Sequence, residues 1–368
     1  MIKIFYDYKI FLNQKYGGPS RYFLSLIDSI DNTQFDCLVN SPVFFNEYLN
    51  QFKKKNHNLV KGRFQKKKYR YTHTIIKLYN HFISTIDLNS KDYDIYHPTY
   101  YGKGLINFKK KPLVLTVHDL IHEKFQADKI SGTINDKKPL LKRASKIICV
   151  SENTRRDLLN LYNIDKNKLL VIYPGVKNIF LEENKKEKLL LTKPYILFVG
   201  NRTKYKNSLN FLKAYANSTK LKNDFNIVFF GGGNFSILEN NDLLKLGIKL
   251  NNIFYEDGDD NKLKLYYENA NVLIYPSLYE GFGSVPLEAM NYGCPVVSSN
   301  TSCLPEVQGD ASLKFDPNSI DDIQHALEKV LYSQTLSKEL ISKGYKKIQK
   351  YSWSECARET AQLYNKLT

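Results

Sequence analysis

The sequence predicts an α/β protein made of two doubly wound domains, each built on a parallel sheet. The chain has 368 residues, more than a single hydrophobic core usually supports. Short runs rich in β-branched and aromatic residues alternate with longer helix-like stretches throughout. These runs are almost continuously apolar, as in strands of a parallel sheet that helices cover on both faces.

The strand candidates form two series that separate at a turn. In the first half they are 3–7, 36–40, 94–97, 113–118, 146–151 and 169–173. In the second half they are 195–200, 226–231, 252–255, 272–275, 295–298 and 312–315. Turn residues and a charged stretch meet at Pro174-Gly175-Val176. We therefore expect an N-terminal domain over 1–175, a C-terminal domain over 176–351, and a helix over 352–368 that packs back on the N-terminal domain.

Cysteine usage and hydropathy exclude several classes of protein. The chain has five cysteines, an odd number, and no Cys-x-x-Cys pair, which argues against a disulfide framework or a zinc site. No apolar run approaches the roughly 18 residues of a membrane span. The N-terminal MIKIFYDYKIF carries scattered charges and is interpreted as a first strand rather than a signal peptide. A reducing cytoplasm is the expected compartment.

Positive charge is concentrated in the first half of the chain. The net charge is +17, with 30 Lys and Arg against 15 Asp and Glu up to Gly175, and 24 against 22 beyond it. No acid occurs from Tyr48 to Ile86, where basic residues, among them Lys66, Lys67 and Lys68, alternate with aromatic ones. Phospholipid headgroups, lipid pyrophosphates and nucleic acids all suit such a patch. A solvated face is the alternative.

Ligand sites in open parallel sheets lie beyond the carboxyl ends of the strands. That rule selects six loops, which would converge on a cleft if the two sheets face one another. The loops are Tyr16-Gly17-Gly18 before Arg21, His118-Asp119, Ser151-Glu152-Asn153, 201–207, Gly231-Gly232-Gly233 and 279–297.

The stretch YEGFGSVPLEAMNYGCPVV, residues 279–297, carries the strongest signal. Gly281 and Gly283 let the backbone approach a ligand, and Ser284 is suited to starting a helix, whose N-terminus attracts phosphate. Glu280 and Glu288 flank that start, and a carboxylate can accept from two vicinal sugar hydroxyls. A turn cap for Glu280 and a complement to the helix dipole for Glu288 are the alternatives.

VGNRTKYKN, residues 199–207, places Arg202 and Lys206 just after a strand. Two cations there would neutralise a leaving diphosphate, as a metal does elsewhere. Lys204 is interpreted as a solvated bystander. A purely surface role for both cations is the alternative.

HDLIHE at 118–123 spaces two histidines like a zinc-protease helix, but it directly follows a strand and has Asp where such a helix has Glu. His118 is therefore interpreted as a hydrogen-bonding group, with a structural histidine as the alternative.

The acids of DGDD, 257–260, precede a helix pattern and are predicted to cap it rather than to hold a metal. Gly231-Gly232-Gly233 is a weak signal alone, Arg21 adds a possible anion contact, and YGKG from Tyr101 is suggestive only.

Taken together, these motifs resemble glycosyltransferase family 4, retaining enzymes of the two-lobed GT-B fold. The matching features are the Glu-x7-Glu pair, GCPVV at 293–297, PEVQGDA at 305–311, and GNRTKYKN at 200–207. The Gly-Gly loop with Arg21 and the pair His118-Asp119 match as well. Many relatives have Gly-Val-Asp where this chain has Gly175-Val176-Lys177, a departure at the seam between the domains.

The resemblance implies a role for each motif. Glu280 would hold the donor sugar, Glu288 the ribose, and Arg202 and Lys206 the diphosphate. His118 would contact the sugar and help to stabilise developing charge, and Asp119 stays a candidate base. The resemblance implies that no metal or other cofactor is needed, and that the departing phosphate takes the acceptor proton. The donor-binding set is Gly17, Gly18, Ser151, Arg202, Lys206, Gly232, Gly281, Phe282, Gly283, Ser284, Val285 and Glu288; Arg21, Tyr101, Lys66, Lys67 and Lys68 are assigned to the acceptor or a membrane.

The variant at 200–207 is similar to mannosyltransferases of bacterial surface polysaccharides, so GDP-mannose is the expected donor and a lipid-linked or surface glycan the expected acceptor. The expected location is the cytoplasmic face of an anionic membrane. Two other functions are considered. One is a GT-B enzyme that is not a transferase, such as a sugar-nucleotide epimerase. The other is a nucleic-acid-binding protein that uses the basic patch, although no nucleic-acid-binding module is recognised.

Overall fold

The computed structural model describes residues 1–66, 72–90, 93–102, 111–125, 132–177 and 193–368. Contacts between Cα atoms divide the chain into two compact units. The N-terminal unit comprises residues 1–175 and 351–368, and the C-terminal unit comprises residues 176–350.

The N-terminal unit is built on parallel strands. They are β1 (Ile2–Tyr6), β2 (Phe35–Phe44), β3 (Val60–Phe64), β4 (Ile95–His97), β5 (Val114–Val117), β6 (Lys146–Cys149) and β7 (Leu169–Val171). A four-stranded sheet has the order β3-β2-β1-β4 and a three-stranded sheet the order β5-β6-β7. A parallel bridge between Tyr96 and Leu113 joins the two sheets at β4 and β5.

Helices follow most of these strands. They are α1 (Lys9–Asn13), α2 (Gly18–Ser29), α3 (Glu47–Lys55), α4 (Thr72–Ser90), α5 (Ile121–Lys124), α6 (Thr133–Arg143) and α7 (Glu152–Leu161). Short 3₁₀ helices cover His57–Leu59 and Lys166–Lys168.

The C-terminal unit has a six-stranded parallel sheet. Its strands are β8 (Tyr195–Val199), β9 (Asn226–Phe230), β10 (Ile253–Glu256), β11 (Val272–Tyr275), β12 (Val296–Ser299) and β13 (Leu313–Phe315), in the order β10-β9-β8-β11-β12-β13. Counted along the unit this is 3-2-1-4-5-6, the order of dinucleotide-binding Rossmann sheets. The strand order reverses between β8 and β11, which pair through Val272 and Ile196. Such a switch point opens a crevice at the carboxyl ends of the two strands.

Helices α8 to α15 surround this sheet. They are α8 (Ser208–Asn217), α9 (Thr219–Asp224), α10 (Ile237–Lys245), α11 (Asp260–Asn269), α12 (Ser284–Asn291), α13 (Leu304–Gln308), α14 (Ile320–Leu331) and α15 (Gln334–Ile348). The 3₁₀ helices are Lys204–Lys206, Leu250–Asn252 and Gly309–Ala311. All residues of β8 and β9 are buried, and Phe198 of β8 packs against Phe211 of α8 and Phe229 of β9.

The last helix, α16 (Trp353–Asn365), belongs to the N-terminal unit. Ser352 caps it by accepting a hydrogen bond from the Glu355 amide. The wholly buried Tyr364 bonds to two strands of that unit: its hydroxyl lies 2.9 Å from the Tyr6 hydroxyl and 2.6 Å from His97 Nδ1.

The predicted fold class is confirmed, and each predicted strand overlaps an observed one with ends that differ by up to four residues. Strand β3 was not predicted, because its sequence VKGRF alternates apolar and basic residues around a glycine. The prediction that the acids of 257–260 cap a helix is confirmed for Asp259, whose carboxylate accepts from the Asn261 and Lys262 amides at the start of α11.

Candidate functional site

The carboxyl ends of β8 and β11 hold a buried ion pair. Lys206 lies in the loop after β8, and Glu280 lies in the loop after β11. Lys206 Nζ donates to Glu280 Oε1 over 2.7 Å and to the Tyr275 hydroxyl over 3.0 Å. The Leu278 amide donates to the Tyr205 carbonyl, so the backbones of the two loops are also joined. The switch point therefore brings together two of the residues predicted to bind a donor.

Lys206 is charged in the folded protein. Burial, the largest single influence, lowers the pKa of Lys206, but Glu280 together with the Tyr275 and Tyr205 hydroxyls outweighs burial and raises that pKa well above its ordinary value. The ammonium has three N–H donors, and the two bonds above use two of them. The Lys206 side chain is 12% exposed and that of Glu280 is 10% exposed.

The backbone around Glu280 is held in an unusual conformation. The Glu280 amide donates to Ser302 Oγ over 3.0 Å, and Ser302 has a left-handed φ of 53°. Gly283 precedes α12 with a φ of 75°, and a Cβ there would lie 2.7 Å from Leu304 Cδ2. Glycine is therefore required at 283 by conformation and by space. As predicted, the helix begins at Ser284.

Glu288 is the fifth residue of α12 and therefore lies in its second turn. Its side chain is buried, and the Tyr267 hydroxyl donates to Oε2 over 3.4 Å. Gly281 and Phe282 are buried in the preceding loop, and Val285 is half-buried in the first turn. The two glutamates thus bracket the N-terminus of α12.

Arg202 has a carboxylate partner that the sequence did not indicate. Its Nε donates to Glu239 Oε1 over 2.7 Å, and its Nη2 donates to the carbonyls of Gly233 and Asn234. The guanidinium also lies over the Phe235 ring at 4.2 Å. Its Nη1 is buried and has no hydrogen-bond partner within the described part of the chain. One side of the guanidinium therefore keeps donors for a ligand.

Glu239 owes its position to the start of α10. Ser236 and Glu239 form a reciprocal capping box, and Arg202 is the main cause that lowers the pKa of Glu239 to about 2. Gly232 has a φ of 85°, and a Cβ on it would lie 3.0 Å from the Gly200 carbonyl and 3.4 Å from Arg202 Nη1. Lys204 is exposed, in agreement with the bystander role predicted for it.

In the N-terminal unit, Gly17 and Gly18 begin α2. A Cβ on Gly18 would have no heavy atom within 4 Å beyond its chain neighbours, so this backbone is open to close approach. A Cβ on Gly17 would collide with the Gln14 side chain. Arg21 follows in the first turn and is half-buried.

His118 follows β5 and packs edge-on against two rings of α2, Tyr22 at 5.0 Å and Phe23 at 5.8 Å between ring centres. Burial, with a smaller contribution from Lys137, lowers the pKa of His118 to about 3. The imidazole is therefore neutral near pH 7 and acts through hydrogen bonds, not through a positive charge. Its Nε2 is buried without a hydrogen-bond partner among the described residues.

Asp119 is half-buried and bonds to its own loop, since Oδ1 accepts from the Ile121 amide over 3.1 Å.

An ion pair that the sequence did not indicate contacts the Asp119 loop. Lys137 is wholly buried and donates to Glu123 Oε1 over 2.7 Å and to the Asp119 carbonyl over 3.1 Å. The Lys137 ammonium also lies 4.6 Å from the centre of the Tyr101 ring. Lys137 thus holds the two loops that carry Asp119 and Tyr101.

Three further predictions have different outcomes. Ser151 is wholly buried and caps α7 by accepting from the Thr154 amide over 3.0 Å, so the structure gives its side chain a capping role. Tyr101 is buried within the N-terminal unit, which removes its ring from any membrane contact. Lys66 is exposed, whereas Lys67 and Lys68 lie outside the described residues.

The described ranges contain neither a group of metal ligands nor a membrane-spanning helix. Within the ranges that the structure describes, no three His, Cys, Asp or Glu side chains are grouped as metal ligands. In the same ranges no helix has both the length and the hydropathy to cross a bilayer. Independence from a metal stays a prediction.

Both halves of the chain match models of glycosyltransferase families. Residues 16–178 match the family model described as Glycosyltransferase Family 4, and residues 180–347 match that of Glycosyl transferases group 1. O-antigen chain mannosyltransferase B of Escherichia coli is 27% identical over 295 residues, 75% of each chain. O-antigen chain mannosyltransferase RfbU of Salmonella typhimurium is 29% identical over 192 residues, 52% of each chain.

A solved structure supports the fold. HepE of Anabaena, in complex with UDP, aligns over 100% of both chains with a TM-score of 0.72 and 15% sequence identity. Two Rossmann-like units of this kind define the GT-B fold. The chain is a glycosyltransferase, and it belongs with glycosyltransferase family 4.

Proposed function

We propose that the protein is a retaining mannosyltransferase that moves mannose from GDP-mannose to a hydroxyl of a lipid-linked or surface glycan. The observation that carries the proposal is the buried Lys206–Glu280 pair at the switch point of the C-terminal sheet. The choice of mannose is supported by two relatives that are named O-antigen mannosyltransferases.

In this proposal the C-terminal unit binds the donor. Glu280 accepts hydrogen bonds from the sugar hydroxyls, and Glu288 accepts from the ribose. Arg202 and Lys206 bind the diphosphate, helped by the amides at the start of α12. The unpartnered Nη1 of Arg202 and the third N–H of Lys206 supply donors for phosphate oxygens. Neither cation needs to release its carboxylate to do so.

The N-terminal unit contributes His118 and the Gly17-Gly18 turn. The exposed backbone of Gly18 lies against the diphosphate in the proposed complex, where a side chain would intrude. His118 offers its buried Nε2 to a sugar hydroxyl, which would satisfy an atom that now has no partner among the described residues. Asp119 adds a carboxylate beside it.

The proposed step exchanges one glycosidic bond for another on the same face of the sugar. The bond from the anomeric carbon to the phosphate oxygen breaks, and the acceptor oxygen bonds to that carbon. The acceptor proton passes to the departing phosphate oxygen. Arg202 and Lys206 stabilise the negative charge on the leaving diphosphate, so the reaction is proposed to need no metal. Because Lys206 already bonds to Glu280, Glu280 is assigned to accepting hydrogen bonds from sugar hydroxyls and not to acting as a general base.

The acceptor of such an enzyme is attached to a membrane, and we place the protein at the cytoplasmic face of an anionic bilayer. Support for this location is the positive charge of residues 48–86, which contain no acid. A polyanionic surface attracts such a segment within about 10 Å at moderate ionic strength.

Thermal-shift titration with GDP, UDP, GDP-mannose and UDP-glucose tests the donor. A ligand at 100 times its dissociation constant adds about 2.7 kcal/mol to the free energy of unfolding. We expect GDP and GDP-mannose to raise the melting temperature and the uridine nucleotides to leave it unchanged. Proton NMR of the product then tests the stereochemistry. Stabilisation by UDP alone would refute the donor, and an inverted anomeric proton would refute the retaining step.

A further inference from the structure

Helix α4 has its apolar side turned to solvent. Ile75, Leu78, Tyr79, Phe82 and Ile86 recur at intervals of three and four residues, so they share one helix face. All five are exposed; Leu78 is 65% exposed and Phe82 is 62% exposed. A surface helix of a globular protein normally shows the opposite arrangement.

The side of α4 that packs on the N-terminal unit is polar. Asn80 is wholly buried and bonds to both backbone groups of Val43, accepting from its amide over 2.9 Å and donating to its carbonyl over 2.7 Å. At this point the ladder between β1 and β2 has ended at Val39, and the ladder between β2 and β3 shifts register between Asn40 and Val43. Asp87 accepts from Asn40 Nδ2 and from Lys61 Nζ, each over 2.7 Å.

These bonds fix the rotation of the helix. Turning the apolar side inward would leave Asn80, Asp87 and the Val43 backbone buried without partners, which costs free energy for each neutral group and more for the carboxylate. The polar contacts on one side of α4 therefore determine that its apolar side is exposed, and the exposure does not reflect loose packing of the helix.

Exposed cations lie close to α4. Arg63 pairs in register with Val43, to which Asn80 of α4 bonds, so this exposed cation lies beside the helix. Lys66 is exposed just after β3, whereas the exposed Lys77 lies on the side of α4 opposite the apolar face. The single acid of α4, Asp87, is buried and paired with Lys61. An exposed apolar face on a helix without an exposed acid, in a segment rich in cations, complements an anionic lipid surface.

Other occupants fit less well. A second copy packed through a two-fold axis would bring the same cations against one another. Nucleic acid would use the cations but has no need of exposed Ile, Leu and Phe side chains. Of the aromatic residues interleaved with the basic ones, Tyr48 and Phe52 are buried and Phe64 packs on Phe44, whereas Tyr79 and Phe82 of α4 are exposed.

We propose that α4 is a membrane-docking helix, which lies in the plane of an anionic phospholipid bilayer with Ile75, Leu78, Tyr79, Phe82 and Ile86 inserted among the lipid tails. Arg63 and Lys66 contact the headgroups. This inference deepens the proposed function and rests on it for its biological purpose. A lipid-linked acceptor would lie in the same bilayer surface that α4 binds. The binding itself needs neither donor nor acceptor.

Flotation with vesicles tests this proposal without any transfer reaction. We expect the wild type to float with vesicles of phosphatidylcholine containing phosphatidylglycerol and to stay in solution with pure phosphatidylcholine. The double variant L78S/F82S should lose at least tenfold in affinity for the anionic vesicles. The matched control is L238S/L244S, which removes two residues of α10 that are 76% and 56% exposed and lie beside acids. It should float like the wild type.

Three outcomes would overturn the proposal that α4 docks on a membrane. Equal flotation of L78S/F82S and wild type would show that charge alone attracts the protein. A wild-type dimer that L78S/F82S converts to monomer, with flotation unchanged, would assign the face to a second copy. Binding of RNA that L78S/F82S abolishes, without flotation of the wild type, would assign it to nucleic acid. Failure of transfer from GDP-mannose would refute the proposed function and leave the flotation result intact.

Discussion

Lys206 and Glu280, 74 residues apart in the chain, form a buried ion pair with Nζ and Oε1 separated by 2.7 Å. The pair joins the loops after β8 and β11, the two strands at which the order of the C-terminal sheet reverses. One contact therefore fixes the geometry of two loops that were both predicted to bind a donor. It also keeps both charges in place before any ligand arrives.

Lys206→Met should destabilise the C-terminal unit more than the loss of one contact would suggest, because it leaves the Glu280 carboxylate buried without its cation. We expect a loss of about 3–5 kcal/mol in the free energy of unfolding. The double variant Lys206→Met/Glu280→Gln should recover most of it. Calorimetry of the two single variants and the double variant measures the coupling. Strictly additive losses would show that the two side chains do not stabilise one another.

Glu280→Gln should retain the fold and lose activity, because a neutral amide binds sugar hydroxyls less strongly and no longer balances Lys206. We expect transfer from GDP-mannose to fall by roughly 100-fold or more, the scale of losing one electrostatic contact in a transition state. Lys204→Ala is the matched control, since Lys204 is exposed and lies two positions from Lys206. Released GDP gives the rate. Near-normal turnover by Glu280→Gln would remove Glu280 from the site.

Two glycine substitutions should separate stability from donor binding. Gly283→Ala places a Cβ at a φ of 75° and 2.7 Å from Leu304 Cδ2, and should cost about 1–3 kcal/mol of stability. Gly18→Ala meets no heavy atom within 4 Å, so the melting temperature should not change. In the proposed complex its methyl group faces the diphosphate, and KM for the donor should rise. An unchanged KM in Gly18→Ala would place the diphosphate elsewhere.

His97 should make the N-terminal unit sensitive to acid. Its pKa is lowered from 6.5 to about 3, mainly by burial and also by the neighbouring His118. Between pH 6.5 and 3 the unfolded chain binds a proton that the folded chain excludes, so stability falls as the pH falls through this range. His97→Gln should reduce the slope by up to about 1.4 kcal/mol per pH unit.

Fluorescence of Trp353, the single tryptophan, follows this transition, since it lies in the same unit. Urea unfolding between pH 4 and 6.5, which lies within the range bounded by the two pKa values, gives the slope. His57→Gln is the control because His57 is exposed. The same pH slope in His97→Gln and wild type would show that His97 does not carry the effect.

The strands of the fold were predictable because their residues are buried on both faces and therefore read as continuous apolar runs. Strand β3 was not predictable, because Lys61 and Arg63 interrupt its apolar residues. Helix α4 was not predictable either, because its buried side carries the polar residues Asn80 and Asp87. In both elements polar side chains bond to one another or to backbone. Such pairing depends on the tertiary neighbours, which local periodicity does not contain.

For the site, the residues that follow the carboxyl ends of strands were predictable, and so was the start of α12. Their partners were not. Glu239, Ser302 and Lys137 hold Arg202, Glu280 and the Asp119 loop, respectively. The capping pattern of Ser236 and Glu239 was visible in the sequence, but it indicated only a helix start. The pairing of Glu239 with Arg202 arises from the order of β8 and β9 in the sheet.

The position of Tyr364 has a consequence for the order in which the protein is made. Its hydroxyl bonds to Tyr6 and His97, so the interior of the N-terminal unit includes a residue that the ribosome adds after all of the C-terminal unit. Residues 176–350 form a continuous segment and leave the ribosome as one block. The first 175 residues, although synthesised earlier, complete their core only when α16 emerges. The usual order, in which an N-terminal domain can complete its fold first, is therefore closed to this chain, because the N-terminal unit needs α16.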